Sequence, residues 1–323
     1  MEEPKMKNSI IYYSVGALLY CPANNKTIAS SIIAERFGRK YSLALCLEDT
    51  IDNYYVHDAE QQLLSTICQI YSTRQTKNFY IPKIFIRVRS VEQMKRLVTL
   101  LKNYFDIITG FIFPKFSMNN SEQYMDCLKN INDRIGKTIY GMPIYESSSI
   151  INLNVRHDIL YKLKDIIDEV SPLILNVRVG GNDLCHYFGF RRHINESIHK
   201  ITPIANIFSD LITVYGHDYV ISGPVYEYYN GENWENHFKH EIKDDILCGF
   251  IGKTVIHPNQ IESINLSYKV ATEDFLDAQN IINWENKTSL VCGSTFDTRM
   301  NEYKTHVNWA NKILYLANYY GTY

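Results

Sequence analysis

The sequence predicts a closed (β/α)8 barrel followed by a C-terminal helical extension. Eight short apolar runs alternate with helix-period stretches, and runs that are continuously apolar are typical of parallel strands covered on both faces. The 323 residues are enough for a barrel of about 250 residues with additions. An open doubly wound sheet shows the same alternation, but Tyr20-Cys21-Pro22-Ala23-Asn24 stands where a glycine-rich phosphate loop would follow the first strand. A closed barrel is therefore preferred.

The predicted strands are short runs rich in β-branched and aliphatic residues, and the predicted helices fill the segments between them. The strands cover residues 17–21, 42–47, 83–88, 110–114, 138–145, 173–179, 219–222 and 254–256. The barrel helices cover residues 26–37, 59–71, 91–104, 121–135, 158–170, 198–215, 234–248 and 261–268.

After Pro258 the pattern is helical only, with two further helices predicted over residues 273–285 and 298–320. We therefore divide the chain into a catalytic barrel over residues 1–268 and a helical extension over residues 269–323. A segment of this size is too small to support a core of its own readily. We expect it to pack on the barrel or on a neighbouring subunit.

Composition and charge narrow the classes of partner. The net charge of −2 and the isoelectric point of about 6.6 provide no field that would favour nucleic acid or an anionic membrane. The chain has neither a run of about 18 apolar residues nor the apolar core of a signal peptide. Seven scattered cysteines, never spaced as C-x-x-C, argue against a disulfide framework or a zinc knuckle. We expect a cytoplasmic protein with buried, reduced cysteines.

Two carboxylates stand out, because Glu146 and Asp183 each close an apolar run. In a barrel of parallel strands, residues at the C-terminal ends of the strands converge on one face, where active sites lie. Two acids on that face can hold one divalent metal ion between them. The sequence thus predicts a metal site built from Glu146 and Asp183.

Charged residues recur at the same position of three other strands. Glu48 and Asp49 follow the second strand, Arg87 lies at the end of the third, and Lys115 follows the fourth. A single charge after an apolar run often marks only the return of the chain to solvent. Their recurrence at one topological position favours a common site. Arg191, after Phe188-Gly189-Phe190, could bind a phosphate or carboxylate of the substrate, or simply belong to an exposed basic turn; Arg192 is the weaker candidate.

Several motifs together resemble the HpcH/HpaI aldolase and citrate lyase β-subunit superfamily of metal-dependent carbon–carbon lyases. The motifs occur in family order over nearly the whole chain and comprise Leu18 to Asn24, Leu47-Glu48-Asp49-Thr50, Ile86-Arg87-Val88, Gly110 to Lys115, Pro143-Ile144-Tyr145-Glu146, Gly181-Asn182-Asp183-Leu184 and Gly252 to Ile261. The segment Ser222 to Tyr229 is similar to the branch described as carbon–carbon bond lyases of the barrel fold, which is often encoded in tellurium-resistance-type gene clusters.

The resemblance implies an α/β barrel, frequently a trimer or hexamer, that binds Mg²⁺ through the acids matching Glu146 and Asp183. It also implies that Arg87 contacts a carboxylate or carbonyl of the substrate. Mg²⁺ prefers oxygen ligands and keeps several waters, so two carboxylates leave room for a keto acid to chelate the ion. A metal ion and a guanidinium can together stabilise the enolate formed when a C–C bond next to a carbonyl is cleaved or made. Glu48 and Asp49 would orient metal waters or pair with Arg87, or hold the strand ends as a salt bridge.

The predicted function is that of a Mg²⁺-dependent carbon–carbon lyase acting on a small carboxylate or acyl thioester through a metal-stabilised enolate, in a homo-oligomer that binds neither nucleic acid nor membrane. Cys46 stands where citrate-lyase-like members usually carry an acid, which weighs against a coenzyme A thioester. Two alternatives stay open. Lys115 could form a Schiff base in a metal-free aldolase, or the barrel could bind a ligand or assemble without turnover.

Overall fold

The computed structural model describes residues 7–285 and 288–323. Eight parallel strands lie side by side in the order β7-β6-β5-β4-β3-β2-β1-β8. The gap between the first and last strands of this series is closed by a parallel bridge between Gly223 and Lys253 and by the hydrogen bond from Gly223 N to Gly252 O (2.9 Å). The predicted (β/α)8 barrel is confirmed.

The elements follow the expected alternation of strand and helix. The barrel strands are β1 (Ala17–Pro22), β2 (Ser42–Cys46), β3 (Lys83–Arg87), β4 (Ile108–Phe113), β5 (Tyr140–Tyr145), β6 (Val177–Val179), β7 (Ile221–Ser222) and β8 (Lys253–Val255). The helices are α1 (Ile10–Tyr13), α2 (Ile28–Ile33), α3 (Val56–Thr73), α4 (Val91–Leu100), α5 (Ser121–Asn132), α6 (Arg156–Asp168), α7 (Gly181–Tyr187), α8 (Thr202–Tyr215), α9 (Trp234–Cys248), α10 (Asn259–Ser267), α11 (Thr272–Ile282) and α12 (Tyr303–Tyr320).

The strands bury side chains on both sides, which explains their continuously apolar sequences. One face of each strand packs against the ring of helices, where side chains such as Leu45, Ile86 and Phe111 are fully buried. The other face fills the inside of the barrel with a separate apolar cluster, which we call the barrel plug: Val15, Leu18, Ala44, Phe85, Ile112, Met142, Ile144 and Leu175.

Two predicted segments are wrong in detail. The stretch 173–179 is a strand only over Val177–Val179; Leu173 ends a turn of 3₁₀ helix, and Ile174 makes an isolated bridge with Gly141. The tail after Pro258 is not helical throughout, since β9 (Val291–Gly293) and β10 (Met300–Glu302) form an antiparallel hairpin between α11 and α12. The hairpin strands have only three residues each, and β9 is exposed along its whole length, so neither carries a periodic apolar signal.

The C-terminal helices pack on the barrel end opposite the strand carboxyl termini. Tyr315 of α12 stacks on Tyr13 of α1 with ring centroids 4.9 Å apart, and the Lys83 ammonium at the start of β3 lies over the ring of Tyr319. The last residues pair with the segment after α10 through the bridge between Val270 and Thr322. The division of the chain at residue 268 stays a prediction.

The seven cysteines differ in their exposure to solvent. All seven cysteines are free, but only Cys21, Cys46, Cys127 and Cys185 are buried; Cys248 and Cys292 are exposed, so the expectation of uniformly buried thiols is wrong. In the described ranges, no helix has the length and apolar character needed to cross a membrane.

Candidate active site

Strand register brings the predicted charged residues to one level of the barrel. Cys46 of β2 is paired with Arg87 of β3, and Phe113 of β4 with Pro143 of β5. Tyr145 of β5 is paired with Val179 of β6, which places Glu146 beside Gly180. Glu48, Arg87, Lys115 and Glu146 therefore lie within two positions of the carboxyl ends of their strands, where the barrel opens, and Asp49 lies three positions after β2.

Arg87 is the centre of this charge cluster. Its Nη2 atom lies 2.6 Å from Glu48 Oε2, 2.8 Å from Asp49 Oδ2 and 3.1 Å from Glu146 Oε1. Burial lowers the pKa of the Arg87 guanidinium, but the carboxylate of Glu146 and other negative neighbours outweigh it and hold that pKa above its ordinary value. Arg87 Nε is buried and has no hydrogen-bond partner within the described chain, so one donor of the fork is unused.

Lys115 is tied to the same acids. Its Nζ atom lies 2.6 Å from Glu48 Oε1 and 3.0 Å from Asp49 Oδ1. Burial lowers the pKa of the Lys115 amine, yet these two carboxylates raise it above its ordinary value, so the amine is protonated. The backbone of Lys115 has a positive φ of 48°, an unfavoured conformation for a residue with a side chain. In this conformation its N–H donates to Glu146 Oε1 over 3.1 Å.

Glu48 and Asp49 influence each other's pKa in this cluster. Burial raises the pKa of Glu48, and the charge of Arg87 opposes that rise. Burial also pushes the pKa of Asp49 upward, but its hydrogen bond with Glu48 and the charges of Arg87 and Lys115 bring it below the ordinary value. Asp49 is therefore more readily ionised than Glu48, and of these two residues it is Asp49 that lines the cavity.

Glu146 is the most deeply buried acid of the cluster, with 2% of its surface exposed. Burial and the negative charge of Asp183 raise its pKa to about 8, against the opposing influence of Arg87 and the Lys115 N–H. Both recorded contacts of the carboxylate are made by Oε1. Its Oε2 atom lies beside Gly180.

Asp183 reaches the site from a helix rather than from a strand end. It lies in the first turn of α7, four positions after β6 ends. None of the hydrogen bonds or ion pairs recorded for residues 7–285 and 288–323 involves its carboxylate. The Asp183 charge nevertheless raises the pKa of Glu146, and both side chains line one cavity. The two predicted metal ligands thus face the same space.

This cavity of about 450 Å³ opens at the carboxyl ends of the strands. Its wall includes the predicted residues Asp49, Arg87, Glu146, Asp183 and Arg191, together with Tyr20, Thr50, Ile144, Arg178, Val179, Gly180, Gly181, Asn182, Val225, Glu227, Thr254 and Ile256. Glu48 and Lys115 do not line the cavity, and they contact the lining residues Arg87 and Asp49. The space is large enough for a small organic acid.

The two arginines after α7 differ sharply. Arg191 is at the rim, with 81% of its side chain exposed and its Nε atom 3.7 Å from Glu227 Oε1. Arg192 is buried and pairs with Glu241 over 3.2 Å, so it stabilises the structure and does not face the cavity. Only Arg191 is placed to meet a ligand.

Sequence reasoning missed Arg178. This residue lies inside the predicted apolar strand 173–179. The structure buries it and places it in the cavity wall. A guanidinium in the middle of a strand that is otherwise apolar was the available signal, because such a charge is rarely buried without a function or a partner.

Gly180 provides the room that Glu146 occupies. A Cβ atom on residue 180 would lie 2.1 Å from Glu146 Oε2 and 2.4 Å from its Cβ atom, distances that force the glutamate to move. We expect Gly180→Ala to lower stability by about 1–3 kcal/mol and to weaken Mg²⁺ binding, as measured by urea unfolding and calorimetry. Gly136→Ala is the matched control, because a Cβ there meets nothing within 4 Å. Equal Mg²⁺ affinity in both variants would contradict the assigned position of Glu146.

Solved structures share this fold at low sequence identity. The CitE protein of Mycobacterium tuberculosis in complex with magnesium, acetoacetate and coenzyme A is 14% identical, with a TM-score of 0.61, and the alignment covers 95% of this chain and 99% of that one. The citrate lyase β subunit of the same organism, complexed with oxaloacetate and magnesium, has a TM-score of 0.54 at 14% identity, with coverage of 80% and 99%. RipC from Yersinia pestis has a TM-score of 0.54 at 15% identity, with coverage of 79% and 95%.

These similarities establish the barrel fold. None of the curated proteins compared is significantly similar in sequence. The family comparison is decisive, because residues 9–322 match the family described as carbon–carbon bond lyases of the TIM-barrel fold. The predicted resemblance is confirmed, and the chain belongs to this family of carbon–carbon bond lyases.

Proposed function

We propose that this protein is a Mg²⁺-dependent lyase that cleaves or forms a C–C bond next to a carbonyl in a carboxylated substrate, through an enolate. The observation that carries the proposal is the position of Glu146. It is buried in the wall of the cavity, touches Arg87 and shares the space with the unpaired Asp183. When carboxylates and a guanidinium lie close together, the carboxylates can bind a cation while the guanidinium stabilises a negative charge that develops beside it.

The donor set suits Mg²⁺ and not a softer metal. Among the described residues, no three histidine, cysteine or acidic side chains converge as a ready metal cage. Two carboxylates on an open cavity suit Mg²⁺, which retains several bound waters and completes its coordination with oxygens of the substrate. Glu146 Oε1 already accepts from Arg87 and from the Lys115 N–H, and Glu146 would hold the ion together with Asp183. When bound, Mg²⁺ would supply positive charge at the oxygen of the enolate.

Arg87 performs the second half of this task. Its Nη2 atom lies within 3.1 Å of three acids, while Nε remains an unused buried donor in the part of the chain that the structure describes. A donor that needs no reorganisation stabilises charge that develops during the reaction. Glu48 and Asp49 keep Arg87 in position, and Lys115 offsets part of their negative charge.

The ligands of the similar structures support the substrate class. The two Mycobacterium tuberculosis proteins are described with magnesium and with acetoacetate and coenzyme A or with oxaloacetate. We propose a small oxo acid as the substrate of this chain, with an acyl thioester as the second possibility. A homo-oligomer in the cytoplasm, as expected from the sequence resemblance, belongs to the same proposal.

The Schiff-base alternative is disfavoured by the state of Lys115. An imine forms from a neutral amine, and such lysines have a lowered pKa. The pKa of Lys115 is raised by Glu48 and Asp49. Failure to trap an imine with borohydride and pyruvate would agree with this argument.

Enolate formation can be measured without knowing the natural substrate. In D₂O, an enzyme that forms the enolate of pyruvate exchanges the methyl protons for deuterium, which proton NMR records. We expect exchange with Mg²⁺ and none with EDTA. If the protein binds Mg²⁺ but produces neither exchange nor C–C cleavage across oxo acids and acyl thioesters, it is a binding or assembly protein and the lyase proposal is overturned.

Mg²⁺ affinity should depend on pH through Glu146. Its pKa of about 8 in the metal-free protein lies above the ordinary 4.5, so below pH 8 the ion must displace a proton. Affinity should therefore fall about tenfold for each unit of pH below 8 and level off above it. Calorimetry in buffers of different ionisation enthalpy should show nearly one proton released at pH 6 and none at pH 9. An affinity that is constant from pH 6 to 9 would show that Glu146 does not bind the ion.

A further inference from the structure

Arg178 is a buried cation in the wall of the cavity, with 1% of its surface exposed. Its Nη1 atom donates to Asn176 Oδ1 over 3.2 Å, and its Nη2 atom donates to Thr254 Oγ1 over 2.7 Å. Its Nε atom has no hydrogen-bond partner in the part of the chain that the structure describes. Arg178 therefore has neutral partners and an unused donor.

The other buried cations of the described residues are all paired with acids. Arg87 pairs with Glu48, Arg156 with Asp210, Arg192 with Glu241 and Lys253 with Asp245, at 2.6 to 3.2 Å. No ion pair is recorded for Arg178 over the same ranges. A buried charge without a counter-charge is strongly unfavourable. An anion from outside the chain would therefore stabilise Arg178.

The surroundings of Arg178 offer no substitute for an acid. Burial lowers the pKa of Arg178, the contact with Tyr20 opposes this change, and the charge of the Arg87 guanidinium lowers the pKa further. Burial also raises the pKa of Tyr20, so its phenol is neutral at neutral pH. Ile144, level with Arg178 in the strand register, belongs to the barrel plug. Arg178 thus lies in the cavity wall at the level of the apolar plug.

We propose that Arg178 binds a second anionic group of the substrate, a carboxylate or a phosphate. This inference rests on the proposed function, in which the oxo acid end of the substrate meets Glu146 and Asp183. Arg178 is two strand positions before Gly180, which lies beside Glu146, and so starts about 7 Å deeper in the barrel. The substrate class is an oxo acid with an anion at its far end, lying along the barrel axis.

Matched pairs of oxo acids test this assignment. 2-Oxoglutarate and 2-oxovalerate have the same chain length and differ in the terminal carboxylate, and phosphonopyruvate and 2-oxobutyrate differ in the same way at a phosphonate. Calorimetry with Mg²⁺ should show wild-type protein binding the doubly anionic member of at least one pair about 10 to 100 times more tightly, as expected for hydrogen bonds to a charged group. The pair with the larger ratio identifies the chemistry of the anion.

Arg178→Met should abolish that preference, because the doubly anionic acid loses the guanidinium that binds its second anion. Its melting temperature should equal or exceed that of the wild type without ligand, because an unpaired buried charge has been removed. Arg178→Lys should keep part of the preference and serves as the second variant if Arg178→Met does not fold. A wild type without preference, or a preference that survives in Arg178→Met, overturns the assignment. So does a lowered melting temperature with preference intact, which would show that Arg178 only links β6 to β8.

The same titrations in EDTA separate this inference from the proposed function. Mg²⁺-dependent binding without any preference for the second anion leaves the lyase proposal standing and overturns the role of Arg178. A preference that depends on Arg178 but not on Mg²⁺ supports the anion site and overturns the metal site. Absence of binding by all four acids overturns both.

Discussion

Glu146→Gln is expected to abolish Mg²⁺-dependent proton exchange of pyruvate while leaving the barrel folded. The amide has nearly the same shape but no charge for the ion. Even partners outside the first ligand shell are worth roughly 10 to 100-fold in metal affinity, so the loss of a direct ligand should exceed that range. Arg87 keeps Glu48 and Asp49 as partners in this variant, and the fold should persist.

The matched control for this variant is Glu60→Gln. Glu60 is also buried, and it accepts hydrogen bonds from Gln93 over 2.8 Å and from Arg96 over 3.0 Å, away from the cavity. Calorimetry and NMR should find Mg²⁺ affinity and exchange unchanged in Glu60→Gln and lost in Glu146→Gln. Equal behaviour of the two variants would remove Glu146 from the reaction.

Arg87→Met is expected to cause a large loss of stability. It removes the one cation shared by Glu48, Asp49 and Glu146, two of which are buried. Removing one partner of a buried ion pair costs about 3–5 kcal/mol. Urea unfolding followed by circular dichroism measures the change. Arg74→Met, which breaks an exposed pair with Asp106 at 3.3 Å, should stay within about 0.5 kcal/mol of the wild type.

Arg87→Lys separates the structural from the chemical contribution of this residue. The ammonium keeps the charge among the acids, so most of the stability should return. It lacks the planar fork and the unused Nε donor, so proton exchange should still fall by about 10²-fold or more. Full exchange in Arg87→Lys would mean that Arg87 acts only through its charge on the surrounding carboxylates.

The barrel could be predicted because its signal is local. Each strand is buried on both faces and is therefore a short continuous apolar run, which its length and its β-branched residues distinguish from a helix. The short elements could not be predicted in the same way. Helix α7 has seven residues and begins at Gly181, and the exposed strands of the hairpin have three residues each. Such segments are stabilised by contacts distant in sequence.

The site was predictable to the extent that position on a strand determines position in space. Glu48, Arg87, Lys115 and Glu146 each follow or end a strand, and parallel strands bring those positions to one face. Arg192 and Arg191 are adjacent in sequence, yet one is buried against Glu241 and the other is exposed. No local pattern distinguishes them, because their partners come from other elements.

The sequence by itself determined the barrel, the face that carries the charged residues and the family to which the chain belongs. Each strand and its end can be identified from a short stretch of sequence, so this information is local. Only the tertiary structure decided which acids neutralise which cations. It places Asp183 in the cavity from a helix, assigns Arg87 to three carboxylates and leaves Arg178 with none. Charge pairing across a barrel depends on side chains that are far apart in the chain, and strand periodicity carries no information about it.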